Sequence, residues 1–127
     1  MYLVVFRYAL KNKCFVSKKL KWYPLFEHSD ELEALFAYRS AVVHRGVFGG
    51  VLLVKNKSGY HAFENRCPHQ NNRLDNCTVT DEHVICPFHQ YHFSCETGRG
   101  HGLYLEKYEL KIENDHVFLG KEVWRLF

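Results

Sequence analysis

Short hydrophobic runs separated by turn-forming residues dominate the sequence after residue 40. In several of these runs apolar or aromatic side chains alternate with polar ones, and clusters of glycine, asparagine and serine mark the breaks between them. This pattern is typical of antiparallel strands in an all-β domain. We therefore predict strands over residues 41–45, 51–54, 60–64, 78–80, 84–85, 91–93, 103–112 and 116–119.

The chain before residue 40 carries further elements. Residues 21–26 are aromatic and β-prone, and because Pro24 cannot donate a ladder hydrogen bond, we predict a strand at the edge of a sheet. Ser29 precedes a stretch that opens with two acidic residues, which predicts a short helical turn over residues 30–36 with Ser29 as its N-cap. Residues 2–10 fit a strand or a loose arm.

Two short segments inside this pattern concentrate metal-binding side chains. Cys67 and His69 flank Pro68, and after sixteen intervening residues Cys86 and His89 follow in the same mixed arrangement. A set of two thiolates and two imidazoles suits a transition metal better than an acid–base pair. Strand-like residues flank the second segment and precede the first. Two loops that project from one small sheet could therefore bring the four side chains together.

The spacing C-x-H-x16-C-x2-H resembles the Rieske iron–sulfur motif, in which two histidines replace two cysteines on one iron of a [2Fe–2S] cluster. The resemblance covers about residues 22–119 and is sharpest over residues 63–98. It implies an all-β, Rieske-type antiparallel β-sandwich or barrel. It also implies a small cluster-binding subdomain, about residues 65–95, built from two ligand loops.

The same resemblance implies one [2Fe–2S] cluster, with Cys67 and Cys86 on the buried iron and His69 and His89 on the outer iron. Two thiolates and two neutral imidazoles leave the oxidised site uncharged, whereas four thiolates would leave it negative. The less negative site accepts an electron more readily. Zinc is the alternative, because two Cys and two His also make a closed tetrahedral zinc site. Zinc fingers usually keep each ligand type in one arm, and the mixed arms here favour iron and sulfur.

Several positions depart from the respiratory members of this family. A disulfide joins the two ligand loops of those proteins, but the matching positions here are Asn72 and Phe88. Their Ser and Tyr hydroxyls lie against the cluster, and the matching positions here are Tyr91 and Phe93, of which Phe93 has no hydroxyl. In these respects the chain is similar to the oxygenase-type Rieske ferredoxins. Two further features depart from the family in general: Gln90 follows the second histidine, where glycine is common, and residues 99–105, after the Thr-Gly turn, lack the proline that many members have.

Length and composition fit one domain. At 127 residues, with 46% hydrophobic and 16% aromatic side chains, the chain can bury a real core. It is too short to hold a mononuclear-iron oxygenase domain as well, so we expect chemistry on an organic substrate to occur in another protein. Three cysteines remain beside the two candidate ligands, and an odd number argues against a closed disulfide framework. We expect Cys14, Cys77 and Cys95 to be small buried side chains or free thiols.

The formal net charge of +3 comes from the leading segment. Residues 1–21 hold six of the seventeen Lys and Arg side chains and no acidic residue, so the remainder is mildly acidic. We divide the chain into a basic N-terminal extension, residues 1–21, and a Rieske domain, residues 22–127. An extra strand or a contact to an acidic partner explains the extension better than a nucleic-acid-binding arm does. Because no apolar run is long enough to span a bilayer and no secretory signal is present, we expect a cytoplasmic protein.

Together these features predict an electron carrier, a small Rieske ferredoxin that passes one electron from a reductase to an oxygenase without a substrate site of its own. The second hypothesis is a small Rieske subunit bound permanently in a larger oxidoreductase, which the basic segment 1–21 favours. The third is a zinc-stabilised interaction module. Redox proteins are the expected partners, and neither nucleic acid nor a membrane span is expected.

Overall fold

The computed structural model describes residues 16–126, in which antiparallel strands account for most of the regular structure. The strands are β1 (Val16–Phe26), β2 (Ala41–His44), β3 (Val51–Asn56), β4 (Gly59–Glu64), β5 (Thr78–Val79), β6 (His83–Ile85), β7 (His92–Ser94), β8 (Arg99–Gly100), β9 (Leu103–Tyr104), β10 (Lys107–Glu113) and β11 (His116–Leu126). One short helix, α1 (Ser29–Leu35), follows β1 in this part of the chain. With seven residues, it is not long and apolar enough to cross a membrane.

The strands form a large sheet and two small ones. The large sheet has the order β1-β11-β10-β4-β3-β2, the small sheet has the order β5-β6-β7, and β8 and β9 form a hairpin. The rings of Phe26 and His44 lie 5.1 Å apart, so the two edge strands β1 and β2 approach each other and the large sheet curls towards a barrel. The all-β, Rieske-type fold is confirmed.

Two separate groups of buried side chains fill the interior. The first core joins one face of the large sheet to the small sheet, and its members are Leu52, Val54, Phe63, Cys67, Leu74, Val84, Cys86, Phe93, Cys95 and Leu105. The second core lies under α1 and its members are Leu32, Phe36, Val51, Leu53, Ala62, Tyr108, Val117 and Leu119. Because strand side chains alternate between faces, β3 sends Leu52 and Val54 to the first core and Val51 and Leu53 to the second.

Most predicted strands are present, and the differences have local causes. Pro24 does lie in an edge strand, but that strand begins at Val16, inside the segment assigned to the extension, and pairs with β11. The strand predicted over residues 103–112 is interrupted at Leu105, which is fully buried where the chain passes from the hairpin to the large sheet. The strand predicted over residues 116–119 continues to Leu126. Residues 2–10 lie outside the described residues.

The predicted N-cap is wrong by one residue. His28 occupies the cap position, without a side-chain capping hydrogen bond, and Ser29 is the first helical residue. The Ser29 hydroxyl instead donates to Asp115 Oδ1 at 2.5 Å, across the turn between β10 and β11. A long-range acceptor therefore replaces the local cap. Asn114 and Asp115 adopt φ values of 51° and 69° in that turn, a conformation that these two residue types tolerate.

Candidate metal centre

Two loops meet at one end of the small sheet and carry all four predicted ligands. The first ligand loop, residues 65–77, leads into β5, and the second ligand loop, residues 86–91, connects β6 to β7. Cys67 opens a tight turn in which its N–H donates to the Asn72 carbonyl and its carbonyl accepts from the Asn71 N–H, both at 2.7 Å. In the second loop the Cys86 N–H donates to the Tyr91 carbonyl at 2.8 Å.

The second ligand loop requires an unusual backbone. His89 and Gln90 have φ values of 65° and 55°, in the left-handed region that favours glycine. The family position that is often glycine is therefore occupied here by Gln90 in the glycine-like conformation. The cost of such a φ is of the order of 1 kcal/mol for a non-glycine residue. The Cys86–Tyr91 hydrogen bond and the flanking strands hold the turn in place.

A polar cluster around Asp75 braces the first ligand loop. Arg45 and Arg73 reach Asp75 Oδ2 at 3.0 and 3.1 Å, and Asn65 donates to Oδ1 at 2.7 Å. Asn65 in turn accepts from the backbone N–H of the fully buried Leu74 at 2.8 Å. Hydrogen bonds from Arg73 and Asn65 lower the pKa of Asp75 to about 2, so the carboxylate is charged at neutral pH. Sequence patterns gave no signal for this cluster, because its members come from separate segments.

The four candidate ligands form two pairs. Cys67 and Cys86 are both fully buried, and their thiols are close enough for a hydrogen bond. The imidazole rings of His69 and His89 lie 5.2 Å apart, centroid to centroid, and meet edge to face with an interplanar angle of 84°. His89 is exposed and His69 is partly buried. The thiols are therefore at the inner side of the site and the imidazoles at the outer side.

Burial and a backbone N–H group have opposite effects on the pKa of the Cys86 thiol. Burial raises its pKa, while a hydrogen bond from the Phe88 backbone N–H lowers it and the neighbouring Cys67 raises it further. The raised pKa favours the protonated Cys86 thiol, and a cation bound at the thiol pair would favour the thiolate instead. The chemistry of this pair therefore fits metal binding.

One imidazole nitrogen supports the same assignment. His69 Nδ1 is buried and has no hydrogen-bond partner among the described residues. Buried polar atoms are nearly always paired, so an unpaired nitrogen of this kind needs an explanation, such as a role as a metal ligand. A neutral imidazole offers a lone pair to a metal at this position. The donor set thus fits a cluster in which each iron takes two protein ligands.

The part of the chain that the structure describes has no three His, Cys, Asp or Glu side chains gathered around a single point. The four candidates are arranged instead as a thiol pair and an imidazole pair.

The remaining cysteines and histidines lie apart from this donor set. Cys77 and Cys95 are free thiols, as predicted, and burial raises the pKa of both, to about 11 for Cys77. Cys14 lies outside the described residues. His61 is buried in the large sheet, where it contacts Ser58 and Asn56. Burial, followed by the charge of Lys107, lowers its pKa.

The positions that depart from the respiratory pattern have visible consequences. Asn72 and Phe88 line an open groove of about 530 Å³ between the ligand loops, where a disulfide would otherwise join them. Phe88 is 49% exposed. Phe93 is fully buried in the first core, and Tyr91 lies against His69. The sequence does not predict the contact between Tyr91 and His69. It shows only that Tyr91 follows His89 by two residues.

These features define the class of the protein as a small antiparallel β-protein with a two-loop metal centre. A model of the Rieske [2Fe-2S] domain family matches residues 21–107, and the chain belongs to this family. It carries a Rieske-type [2Fe–2S] cluster. Two thiols and two imidazoles are the donor types that such a cluster takes from its protein.

Known proteins with related sequences and folds include ferredoxins of oxygenase systems. The alkene monooxygenase system ferredoxin component of Xanthobacter autotrophicus is 38% identical over 76 residues, which is 57% of this chain and 62% of that protein. The chain thus spans less than two thirds of that relative. A complex of reduced oxygenase and oxidised ferredoxin in carbazole 1,9a-dioxygenase contains a similar fold, with a TM-score of 0.61, 19% identity and coverage of 77% of this chain and 91% of that chain. The ferredoxin of carbazole 1,9a-dioxygenase from Nocardioides aromaticivorans gives a TM-score of 0.55, 22% identity and coverage of 63% and 83%.

Proposed function

We propose that Cys67 and Cys86 hold one iron of the cluster and that His69 and His89 hold the other. The observation that carries this assignment is the buried His69 Nδ1, which has no partner among the described residues and lies beside the second imidazole. The buried thiol pair gives it further support. When bound, the cluster supplies a one-electron redox couple. The chain contributes two negative charges and two neutral ligands, a donor set that makes acceptance of an electron easier than four thiolates would.

Single substitutions at matched residues test the ligand assignment. Cys67→Ser and Cys86→Ser should abolish assembly of the cluster, because thiolate charge holds the ferric iron. Cys77→Ser and Cys95→Ser are the matched controls, since Cys95 belongs to the same first core as the two ligand cysteines and Cys77 packs against it. Both controls should keep two irons and two acid-labile sulfides per chain. Purified protein that contains zinc, or an intact cluster in either ligand variant, would contradict the assignment.

We further infer that the protein is the ferredoxin component of an oxygenase system. In this role it receives one electron from a reductase and delivers it to an oxygenase in the cytoplasm. The ferredoxin name of the Xanthobacter relative and the outward position of the two imidazoles support this inference. An exposed His89 gives a partner protein a short path to the metal centre. Chemistry on an organic substrate then belongs to the partner.

A permanent subunit of a larger oxidoreductase is the second candidate, because residues 1–21 concentrate six basic side chains that could bind an acidic partner. Purification at native expression level separates the two candidates. A mobile carrier should elute mainly as a monomer and should stimulate oxygenase turnover in proportion to its added concentration. A fixed complex of constant stoichiometry that survives high salt would support the subunit instead.

A further inference from the structure

The two candidate imidazole ligands have unequal surroundings. The ring of Tyr91 is stacked on His69, with 4.0 Å between centroids and 24° between the ring planes. For His89, the ring contact found in the described part of the chain is the edge-to-face contact with His69. Since His89 is also exposed, its ring has more freedom than the ring of His69. This difference between the two imidazoles comes from their contacts with protein side chains and their exposure, and not from the metal.

Tyr91 is itself held from two sides. Its carbonyl accepts the hydrogen bond from the Cys86 N–H that closes the second ligand loop. The ring of His101 lies on its other side, 4.8 Å from the Tyr91 centroid and tilted by 38°. Three rings in sequence, His101, Tyr91 and His69, therefore run from the surface to the candidate metal ligand.

The β8–β9 hairpin brings His101 to this place. His101 and Gly102 have φ values of 54° and 75°, which form the tight turn of the hairpin. Gly100 packs so closely on β7 that an added Cβ would lie 1.8 Å from the His92 carbonyl oxygen. The Leu105 N–H donates to the Gly98 carbonyl at 2.6 Å and closes the base of the hairpin. The hairpin is thus fixed on the small sheet, and the position of His101 is fixed with it.

We propose that Tyr91 is a positioning residue that fixes the ring orientation of His69 at the cluster, with His101 as its outer support. This proposal rests on the ligand assignment made above. The orientation of an imidazole determines how its lone pair meets the metal, and supporting groups around a ligand usually set that orientation. In other metal sites, a hydrogen bond to the histidine ligand fixes the orientation of its ring. Here the stacked ring of Tyr91 has that role for His69. His89 is left as the less constrained of the two ligands.

Four variants of the cluster-loaded protein test the proposal. Tyr91→Leu removes the aromatic face, Tyr91→Phe keeps it, His101→Ala removes the outer support, and His116→Ala is the control, since His116 is an exposed histidine of β11 whose ring contacts Phe118. The measurements are the line width of the electron paramagnetic resonance spectrum of the reduced protein, the nitrogen hyperfine couplings of the two imidazoles and the rate of cluster loss in air. If Tyr91 only filled space, its replacement would change the rate of cluster loss but would leave the nitrogen hyperfine couplings of both imidazoles unchanged.

We expect Tyr91→Leu to broaden the spectrum, to alter the coupling of one imidazole and to speed cluster loss by about two- to tenfold, the range that one aromatic pair supports. Tyr91→Phe and His116→Ala should match the unmodified protein. His101→Ala should show a smaller change in the same direction. Because His101 is exposed, this variant keeps the test decisive if Tyr91→Leu does not fold.

Unchanged couplings and line width in both Tyr91→Leu and His101→Ala would overturn the proposal. The same result in Tyr91→Phe as in Tyr91→Leu would also overturn it, since the hydroxyl and not the ring face would then be the active group. The variant His69→Ala distinguishes failure of the Tyr91 proposal from failure of the ligand assignment. An unaltered cluster in His69→Ala would contradict the ligand set itself, whereas a lost or altered one leaves only the role of Tyr91 to be decided by the other variants.

Discussion

Single residues around the cluster decide how well an added electron is stabilised. Phe93 is fully buried but offers no hydroxyl, and Asn72 and Phe88 leave the ligand loops without a disulfide. The Phe88 backbone N–H does point at the Cys86 sulfur. Fewer dipoles than in the respiratory proteins therefore face the cluster, and the stabilisation of the reduced state is correspondingly smaller.

We predict a reduction potential near the low end of the Rieske range, which spans roughly −150 to +300 mV. Protein-film voltammetry at neutral pH measures it directly. A potential above about +100 mV, near the middle of that range, would mean that other groups replace the missing hydroxyl and disulfide.

Asp75 is a second residue whose chemistry can be tested, because its carboxylate braces the first ligand loop. Its pKa is lowered to about 2, so its contribution to stability is fully present above the ordinary value of 3.8 and is lost as the pH falls from there towards 2. Asp75→Asn should therefore lose the cluster faster at neutral pH and should show a weaker acceleration of cluster loss in acid.

Asp115→Asn is the control for this experiment. Hydrogen bonds from Ser29 and His28 also lower the pKa of Asp115, but its partners lie at the start of α1, away from the ligand loops. Rates of visible bleaching between pH 7 and pH 3 compare the three proteins. Equal effects of the two substitutions would indicate general destabilisation and would contradict a specific role of Asp75.

Residue types and spacing were enough to find the four candidate ligands, because each pair is close in the chain and lies between recognisable strands. The Asp75 cluster and the His101–Tyr91–His69 stack could not be predicted in this way. Asp75 collects Arg45, which lies thirty residues away. The stack depends on the path of a hairpin that no periodicity specifies. Both features arise from tertiary contacts between segments that look unremarkable when taken one by one.

At the scale of elements, alternation of apolar and polar residues located the strands well and located their ends less well. The strand predicted to start at residue 21 begins at Val16, because pairing with β11 extends it. The strand predicted over residues 103–112 is split, because the chain changes sheets at Leu105 and that residue enters the first core. Pairing partners decide such boundaries, and they are distant in sequence.

The β8–β9 hairpin allows a prediction about a single element. An added Cβ at Gly100 would lie 1.8 Å from the His92 carbonyl oxygen, whereas one at Gly102 would meet nothing within 4 Å. Gly100→Ala must displace the hairpin from β7, which should cost about 1–3 kcal/mol, as overpacking usually does. Gly102→Ala should cost only about 1 kcal/mol for its positive φ.

Thermal unfolding and the rate of cluster loss distinguish these two variants. Gly100→Ala should also accelerate loss of the cluster, since the hairpin carries His101, while Gly102→Ala should leave that rate close to normal. Similar rates in the two variants would show that the close approach at Gly100 is relieved without movement of the hairpin.

At the scale of the whole molecule, the first part of β1 and the last part of β11 pair only with each other and extend beyond the rest of the large sheet. Strand β10 pairs with β11 only over the residues from His116 to Gly120, so the later residues of β11 pair with β1 alone. The proposed boundary between extension and domain, at residues 21 and 22, falls where this two-stranded ribbon joins the rest of the large sheet. A ribbon of two strands contributes little stability by itself.

We therefore predict that a chain that starts at Leu20 still binds its cluster. Removal of the preceding residues should lower the unfolding free energy by no more than about 1 kcal/mol, because an isolated pair of strands is only marginally stable. Visible and paramagnetic resonance spectra of the shortened protein check the cluster. Failure to assemble it would show that the first part of β1 belongs to the domain itself.

The division of the interior into two cores leads to the last prediction. Both ligand cysteines belong to the first core, together with Leu74, Val84 and Phe93 of the loops and the small sheet. The second core contains no candidate ligand and joins α1 to the large sheet through Leu32, Val117 and other apolar residues. Loss of the cluster should therefore act on one core and leave the other in place.

Hydrogen exchange before and after removal of the cluster tests this division. Amides of residues 67–92 should lose protection, because the ligand bonds no longer hold the two loops together, while β3, β10 and β11 should keep most of theirs. The large sheet retains its own buried side chains at Val51, Leu53 and Leu119, which belong to the second core. Uniform loss of protection, together with global unfolding by circular dichroism, would mean that the two cores are a single cooperative unit. In that case the cluster would be part of what folds the entire chain, as structural metals are in small domains.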